Sequence, residues 1–271
     1  MPVSRRVFYL LGLILFFGSC YEKKEGCLEV LASNFDLEAD INCCENENDC
    51  CCEYPVLTLS LKQQYGTGNL STTQTYLTNH DQPFQLEKIN FFISDVRLTD
   101  GMNTYTVDDS LLVLAKDGKS SFEPDDITLV GSNLFSIRLG TFSRPGTYTR
   151  LEFTVGLTEP ERSADRDQFD SEHPFAQDDL RDTINNQWLI YDVSWIPDTL
   201  TGDVTHLRLP ADTSIPVSLP IDVSKDPGDN ITIPIAIDYS QWFAEIDITA
   251  DDQETISQKI LAGLAASFTI L

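Results

Sequence analysis

Apolar and polar side chains alternate along most of the chain beyond residue 55, which is the pattern of half-buried β-strands. Residues 151–155 (Leu-Glu-Phe-Thr-Val) place three apolar side chains on one face, and residues 89–93 and 231–237 repeat the alternation. Turn-forming sequences separate these stretches at 99–101 (Thr-Asp-Gly), 144–146 (Arg-Pro-Gly) and 226–228 (Asp-Pro-Gly). Strands of this length and spacing predict a mainly β fold, an antiparallel Ig-like β-sandwich with long loops.

Two stretches break the alternation. Residues 158–186 are polar and acidic, and a loop of this length in a compact domain is usually functional or disordered. Residues 251–268 instead space apolar side chains at helical intervals, at Ile256, Ile260, Leu264 and Phe268. We therefore predict one C-terminal helix packed on the sandwich, with Asp251 or Asp252 as its N-cap. No glycine- or serine-rich linker divides residues 55–271, so we interpret them as one domain.

Residues 1–19 have the composition of a secretory signal. Arg5 and Arg6 precede an apolar run from Val7 to Phe17, which ends in small residues before Cys20. This run is too short for a membrane-spanning helix. The position of Cys20 resembles a bacterial lipoprotein signal, which implies cleavage before Cys20, a lipid on its sulfur and an anchor in the outer membrane of the cell envelope.

The other six cysteines crowd into one short stretch, at Cys27, Cys43, Cys44, Cys50, Cys51 and Cys52. In an oxidising compartment this even number predicts three disulfides, whose connectivity the sequence leaves open. Because neighbouring cysteines rarely bond each other, we expect Cys43 and Cys44 to pair outward. The competing interpretation is a thiolate metal site, but the stretch lacks the histidines and the spacing of a zinc site. Residues 20–54 are thus interpreted as a disulfide-stapled spacer, with a docking module as the alternative.

The same stretch resembles the short cysteine repeat found on surface and secreted proteins of Bacteroidota. The matching positions are Gly26, Cys27, Ala32, Asn34, Phe35, Asp36, Ala39, Cys52, Glu53 and Tyr54. The additional cysteines depart from that repeat, so its disulfide pairing is not transferred to this chain.

The net charge of the chain and the absence of known catalytic motifs from its sequence limit the classes of function that we expect. With 43 acidic and 18 basic residues the formal net charge is −25, which repels nucleic acid phosphates and excludes nucleic acid as a partner. No nucleophile elbow, P-loop, dinucleotide fingerprint or zinc-protease motif occurs, and no serine or cysteine nucleophile stands out beside the three histidines. We therefore predict a protein that is not an enzyme.

The carboxylates of residues 165–172 form a minor candidate calcium site, although their spacing is not that of an EF-hand.

Several landmarks of the main domain occur in a recognisable order. They are Phe92–Leu98 with Gly101, Gly146–Tyr148, Phe153–Leu157, His173–Phe175, Trp188 and His206. This succession resembles the MbnP-like family, exported proteins related to the copper-binding partner of a di-haem peroxidase, over roughly residues 56–271. The first strand of the chain departs from the family pattern, because it lacks the histidine often found there.

The resemblance implies an exported β-sandwich that binds copper, for which imidazole is a suitable ligand. It assigns His206 and His173 as metal ligands, with His80 as a third candidate. It also assigns Trp188 as the side chain that a di-haem cytochrome c peroxidase-like partner would oxidise and that would then help to hold the metal. Such a site requires His206, His173 and Trp188 to converge.

The alternative is a surface interaction module without metal, which would bind a protein or a glycan through the acidic loop at 158–186. Scattered histidines would favour this alternative. In that case His206 is an ordinary strand residue and His173 caps a loop.

Overall fold

The computed structural model describes residues 21–44 and 50–271. The predicted signal at 1–19 and the predicted lipidation site Cys20 lie outside the described residues. In the described ranges the strands are β1 (Glu25–Gly26), β2 (Ile41–Asn42), β3 (Val56–Tyr65), β4 (Gly68–Asn69), β5 (Thr75–Leu77), β6 (Pro83–Thr99), β7 (Thr104–Tyr105), β8 (Ser110–Leu114), β9 (Ser120–Pro124), β10 (Thr128–Gly131), β11 (Ser136–Thr141), β12 (Gly146–Val155), β13 (Arg181–Asp182), β14 (Gln187–Ile196), β15 (Thr205–Pro210), β16 (Ile215–Lys225), β17 (Ile231–Asp238) and β18 (Phe268–Ile270). The helices are α1 (Glu159–Arg162), α2 (Ser240–Phe243) and α3 (Gln253–Leu264), with 3-10 turns at Arg166–Gln168, Pro174–Ala176 and Ala265–Ser267.

Two sheets form the body of the molecule. The larger, nine-stranded sheet runs in the order β13-β14-β6-β12-β16, and β15 extends it beside β14 while β5, β7 and β10 pair with β6. The smaller sheet has five strands in the order β11-β3-β17-β18, with β4 beside β3. Most pairs are antiparallel, but β3 and β17 run parallel over eight residue pairs, a feature that the alternation pattern alone does not predict.

The two sheets pack face to face around one apolar core. Leu59 of β3, Ile233 of β17 and Phe91 of β6 are all buried in the same cluster of side chains. Phe268 at the edge of the smaller sheet makes edge-on contacts with Phe91 and with Phe153 of the larger sheet. The predicted β-sandwich is therefore confirmed.

A second apolar cluster lies on the outer face of the larger sheet. Phe92 of β6 points away from the sandwich core and packs there with Phe175 and Trp188. This cluster is covered by the hairpin β8–β9 and by residues 158–186, which we call together the cap. The main chains of the two cap segments are joined where Ala115 forms a β-bridge with Ala164. Much of the predicted long loop is thus a packed cover with short helical turns.

The C-terminal helix is shorter than its apolar spacing predicts. Asp252 caps α3 by accepting the N–H of Thr255, but the helix ends at Leu264, and Phe268 belongs to a strand paired with β17. The backbones of the two helices approach closely near the end of α3, because a Cβ on Gly263 would overlap the backbone oxygen of Gln241 in α2. The glycine lets the two helices pack, and the chain then turns back to the sheet.

All six described cysteines are paired, in agreement with the prediction of three disulfides. The bonds join Cys27 to Cys52, Cys43 to Cys51 and Cys44 to Cys50. Cysteines that are adjacent in the sequence, such as Cys43 and Cys44, thus bond to more distant cysteines and not to each other. The resulting cysteine module, residues 21–54, packs on the sandwich at Ala32, whose carbonyl oxygen lies 2.8 Å from the Cβ position of Gly228.

Candidate functional site

His206 lies on the outer face of the larger sheet, where β15 pairs with β14. Its ring is exposed, and its Nδ1 is 3.0 Å from the hydroxyl oxygen of Ser194 on the neighbouring strand. The next residues on the same face form ion pairs, because Arg208 and Lys88 both contact the buried carboxylate of Asp192. His206 therefore borders a polar part of the sheet surface.

His173 lies inside the cap and serves as a structural residue. Its Nδ1 accepts the backbone N–H of Phe175 at 3.1 Å, which caps the 3-10 turn at Pro174–Ala176. The imidazole stacks on Phe169 with ring centroids 4.6 Å apart. Because Nδ1 accepts a hydrogen bond, the proton of the neutral ring lies on Nε2, which faces the carboxylate of Asp125 at 3.6 Å. Neither nitrogen then offers a lone pair to a metal ion.

Trp188 occupies the second apolar cluster at the start of β14. Its ring packs against Phe175 with centroids 4.9 Å apart, and the guanidinium of Arg181 lies 5.7 Å from the centroid of the indole. The indole is 5% exposed, beside a cavity of about 220 Å³. The cavity is lined by Arg162, Asn186, Gln187, Trp188, Pro210, Ala211 and Asp212.

His80 is exposed in the turn between β5 and β6, and its backbone N–H donates to the hydroxyl oxygen of Thr78. This turn packs at the α2 end of the molecule, since the N–H of Asn79 donates to the carbonyl oxygen of Ala244. His80 thus belongs to a different region from the cap.

The four residues selected from the sequence do not meet at one point. His173 and Trp188 share the second apolar cluster, because each packs against Phe175. His206 pairs with Ser194, which is six residues along β14 from Trp188. At about 3.3 Å per residue this separation is about 20 Å, far beyond a metal–ligand distance. Within residues 21–44 and 50–271, the one group of three side chains with ligand atoms close together is Cys43, Cys44 and Cys52, and disulfides occupy all three sulfurs.

The acidic stretch at 165–172 gives the calcium prediction no support. The carboxylate of Asp165 is turned back on its own chain, where it accepts the N–H of Asp167 and caps a 3-10 turn. Among the described residues no carboxylates of this stretch gather into a group that could surround a cation. The described residues therefore give the calcium prediction no support, and the side chain of Asp165 takes part in local turn formation instead.

Asp126 is a buried residue that the sequence analysis missed. Its two carboxylate oxygens accept the N–H groups of Asp95 and Val96, at 2.9 and 2.7 Å. Asp95 has a positive φ of 54°, a conformation that aspartate tolerates better than most residues, and it places a bulge in the long strand β6. The adjacent Ser94 donates to the carbonyl oxygen of Gly156. The Ile-Ser-Asp-Val stretch at 93–96 therefore binds strand β6 to the chain segments at Asp126 and Gly156.

Burial changes the acidity of the carboxyl groups near this stretch. It raises the pKa of Asp126 to about 8, although the two backbone N–H donors act in the opposite direction. It also raises the pKa of Glu161 in α1, whose carboxylate accepts the N–H of Thr158. Two acids under the cap thus favour the neutral form, a feature that residue spacing could not reveal.

Comparison with known proteins matches this chain to one family. Residues 54–186 fit the model of the MbnP family, a range that contains the β6 bulge and His173 but ends before Trp188 and His206. No curated protein sequence matches the chain. Among solved structures, MbnP from Methylosinus trichosporium is similar over 72% of this chain and 79% of its own, with 12% identity and a TM-score of 0.44. On the match of residues 54–186, this chain belongs to the MbnP-like family.

Proposed function

We propose that this chain is an exported binding protein of the bacterial cell envelope that acts through protein contacts and catalyses no reaction. The observation that carries the proposal is the wide separation of His206 from the pair formed by His173 and Trp188. A three-residue copper site needs those side chains within a few ångströms of one ion. Membership of the MbnP-like family supports an exported β-sandwich with a binding role.

The proposed organisation follows the order of the chain. Residues 1–19 are the signal that is removed, residues 20–54 carry the lipid on Cys20 and the disulfides, and residues 55–271 form the binding domain. No helix in the described part of the chain is long and apolar enough to cross a membrane. Metabolic labelling with a radioactive fatty acid tests the anchor. Label should enter the wild-type protein and be lost in Cys20→Ser.

Copper binding is the second candidate, because the family relation favours it. His206 would be one ligand, since the residue is exposed on the sheet surface. His173 fits poorly, because its two nitrogens are engaged by Phe175 and directed at Asp125. Trp188 would be the site of oxidation by a di-haem cytochrome c peroxidase-like partner, and mass spectrometry of the protein from its native cells would detect the altered indole.

A copper(I) competition titration separates the two candidates. The chain from Tyr21 onward retains every described residue and is titrated with disulfides intact, beside His206→Ala, His173→Ala and the exposed control His80→Ala. For a metal-free module we expect no tight one-to-one binding and no difference among the four proteins. Tight stoichiometric binding that His206→Ala abolishes while His80→Ala retains it would reject the metal-free proposal and establish the copper candidate. The same titration of protein purified from native cells covers a site that forms only after oxidation of Trp188.

A further inference from the structure

The outward face of the hairpin β8–β9 carries an apolar strip formed by Leu112, Leu114 and Phe122. Leu112 and Phe122 are directly opposite each other in the strand register. The three side chains are 43%, 44% and 74% exposed. No other part of the described chain buries these three side chains. They form one patch because they lie on the same side of two paired strands.

This strip is unusual for a hairpin that covers a core. The inward side chain between the two leucines, Val113, is 1% exposed and belongs to the second apolar cluster. Covering that cluster requires apolar residues on the inward face only, and the solvent face of such a hairpin is normally polar. The sequence Leu-Leu-Val-Leu at 111–114 is instead apolar on both faces. Packing of the cap thus does not account for the outward residues.

The acidic chain runs directly beside the strip. The side-chain amide of Gln168 bonds both the N–H and the carbonyl oxygen of Leu114, at 2.8 and 3.0 Å, and the N–H of Asp165 donates to the same carbonyl. These bonds hold Asp165 and Asp167 along the edge of β8. Residues 108–126 and 158–186 together contain fifteen acidic and five basic side chains, a formal net charge of −10 out of −25 for the whole chain.

We propose that this strip is a docking site for a partner protein that presents apolar side chains flanked by lysine or arginine. The inference rests on the proposed binding function and names the surface and the partner chemistry. Opposite charge around a small apolar contact steers association and fixes orientation. The same charge disfavours the other occupants, because anionic lipid head groups and a second copy of this acidic cap are both repelled. A strip of three side chains is suited to a transient contact.

Defined peptides test the proposal by fluorescence polarisation. The probe is a labelled peptide with a Leu-Phe-Leu centre between two lysine pairs. One control replaces the centre with serines, and the other replaces the lysines with glutamates. The protein is the chain from Tyr21 onward, compared with Leu112→Ser, Phe122→Ser and Ile184→Ser. Ile184 is the matched control, because it is 91% exposed in the same cap but outside the strip. Thermal melting confirms that each variant is folded.

We expect the Lys/Leu-Phe-Leu peptide to bind more tightly than either control peptide. Phe122→Ser should raise its Kd about tenfold, and Ile184→Ser should leave it unchanged. Asp165→Asn with Asp167→Asn should raise the Kd and weaken its dependence on salt. Equal binding of the serine-centred peptide, or equal Kd values for Phe122→Ser and wild type, would overturn the proposal. Concentration-dependent self-association lost in Phe122→Ser, or binding to phosphatidylglycerol vesicles through the strip, would also overturn it. These results are independent of the copper titration, so either proposal can fail alone.

Discussion

Ser194 and His206 face each other across β14 and β15, with 3.0 Å between the serine hydroxyl oxygen and Nδ1 of the histidine. This contact defines His206 as a surface residue of the sheet. His173, by contrast, is enclosed by the cap and holds the backbone N–H of Phe175. His173 and His206, which the family resemblance assigns to one metal site, therefore have different structural roles. Their substitution should have different effects on stability.

His173→Ala should lower the free energy of unfolding by about 1–2 kcal/mol, because it removes an N-cap hydrogen bond together with the stack on Phe169. His206→Ala should stay within about 0.5 kcal/mol of wild type, as most exposed substitutions do. Urea denaturation followed by tryptophan fluorescence measures both values.

His173→Asn is the informative control for that comparison. An asparagine oxygen can accept the same N–H, so a capping role predicts that Asn recovers part of the stability that Ala loses. Equal losses for Ala and Asn would show that the cap bond is not what makes His173 stabilising.

The buried carboxyl of Asp126 should make the protein less stable as the pH rises. Its pKa is about 8 in the folded protein against an ordinary value of 3.8, so between these values the folded state holds a proton that the unfolded state has released. The contribution to stability is complete below pH 4 and is lost as the pH rises through about 8. Glu161 acts with the same sign, because burial raises its pKa too. Urea midpoints measured from pH 5 to 9 should therefore fall.

Asp126→Asn tests which group is responsible. Asparagine has one side-chain oxygen in place of the two that now accept the N–H groups, so the variant should be less stable at pH 5 by about 1–3 kcal/mol. It should also lose most of the pH dependence, and the gap to wild type should narrow at pH 9. A variant whose midpoints decline with pH as steeply as those of wild type would exclude Asp126 as the source.

Much of the fold follows from the residue pattern, and its exceptions have definite causes. Alternation predicts the strands of the sandwich, because period two is a local property of a half-buried strand. It cannot predict the parallel pair of β3 and β17, which depends on partners about 175 residues apart in the chain. Phe268 fits a helical spacing, yet it lies in a strand, because its pairing with Ile237 of β17 is a tertiary contact that residue spacing does not reveal.

The candidate site was less predictable than the fold. Trp188 and His206 are consecutive landmarks of the family pattern. The extended strand β14, however, places Ser194, the partner of His206, about 20 Å from Trp188. Phe92 gave a usable signal, because its side chain lies opposite Phe91 and so points to a second apolar cluster. No sequence signal marked Asp126, because the tertiary fold decides which of the 43 acidic residues is buried.

Gly263→Ala should destabilise the protein although alanine is the better helix former. Helix propensity alone predicts a gain of about 1 kcal/mol. The added methyl group would instead overlap the backbone oxygen of Gln241, so we expect a loss of about 3 kcal/mol or more. Thermal unfolding measures the sign, and Ala262→Gly at the exposed neighbouring position should cost only about 1 kcal/mol. A stabilised Gly263→Ala protein would show that α2 and α3 do not pack this closely.

Reduction of the disulfides should unfold the cysteine module and leave the sandwich folded. All three bonds lie within residues 27–52, and neither apolar cluster takes a residue from that range. In a chain-entropy estimate the bond across 25 residues contributes about 3.5 kcal/mol and the bond across 6 residues about 2 kcal/mol, both to the module. Limited proteolysis with reductant should therefore cut residues 21–54 while the remainder resists. Cleavage throughout the chain would contradict this independence.

Gly228→Ala should release the same module with its disulfides intact. The new methyl group would lie 2.8 Å from the carbonyl oxygen of Ala32, so the module must move away from the turn at 226–228. Gly228 also has a positive φ of 80°, which strains any alanine there. Gly118 supplies the matched control, because its φ is 84° and, apart from its chain neighbours, no described residue has an atom within 4 Å of its Cβ position. Hydrogen exchange near Ala32 should be faster in Gly228→Ala than in wild type and unchanged in Gly118→Ala, and unchanged exchange in Gly228→Ala would contradict the contact.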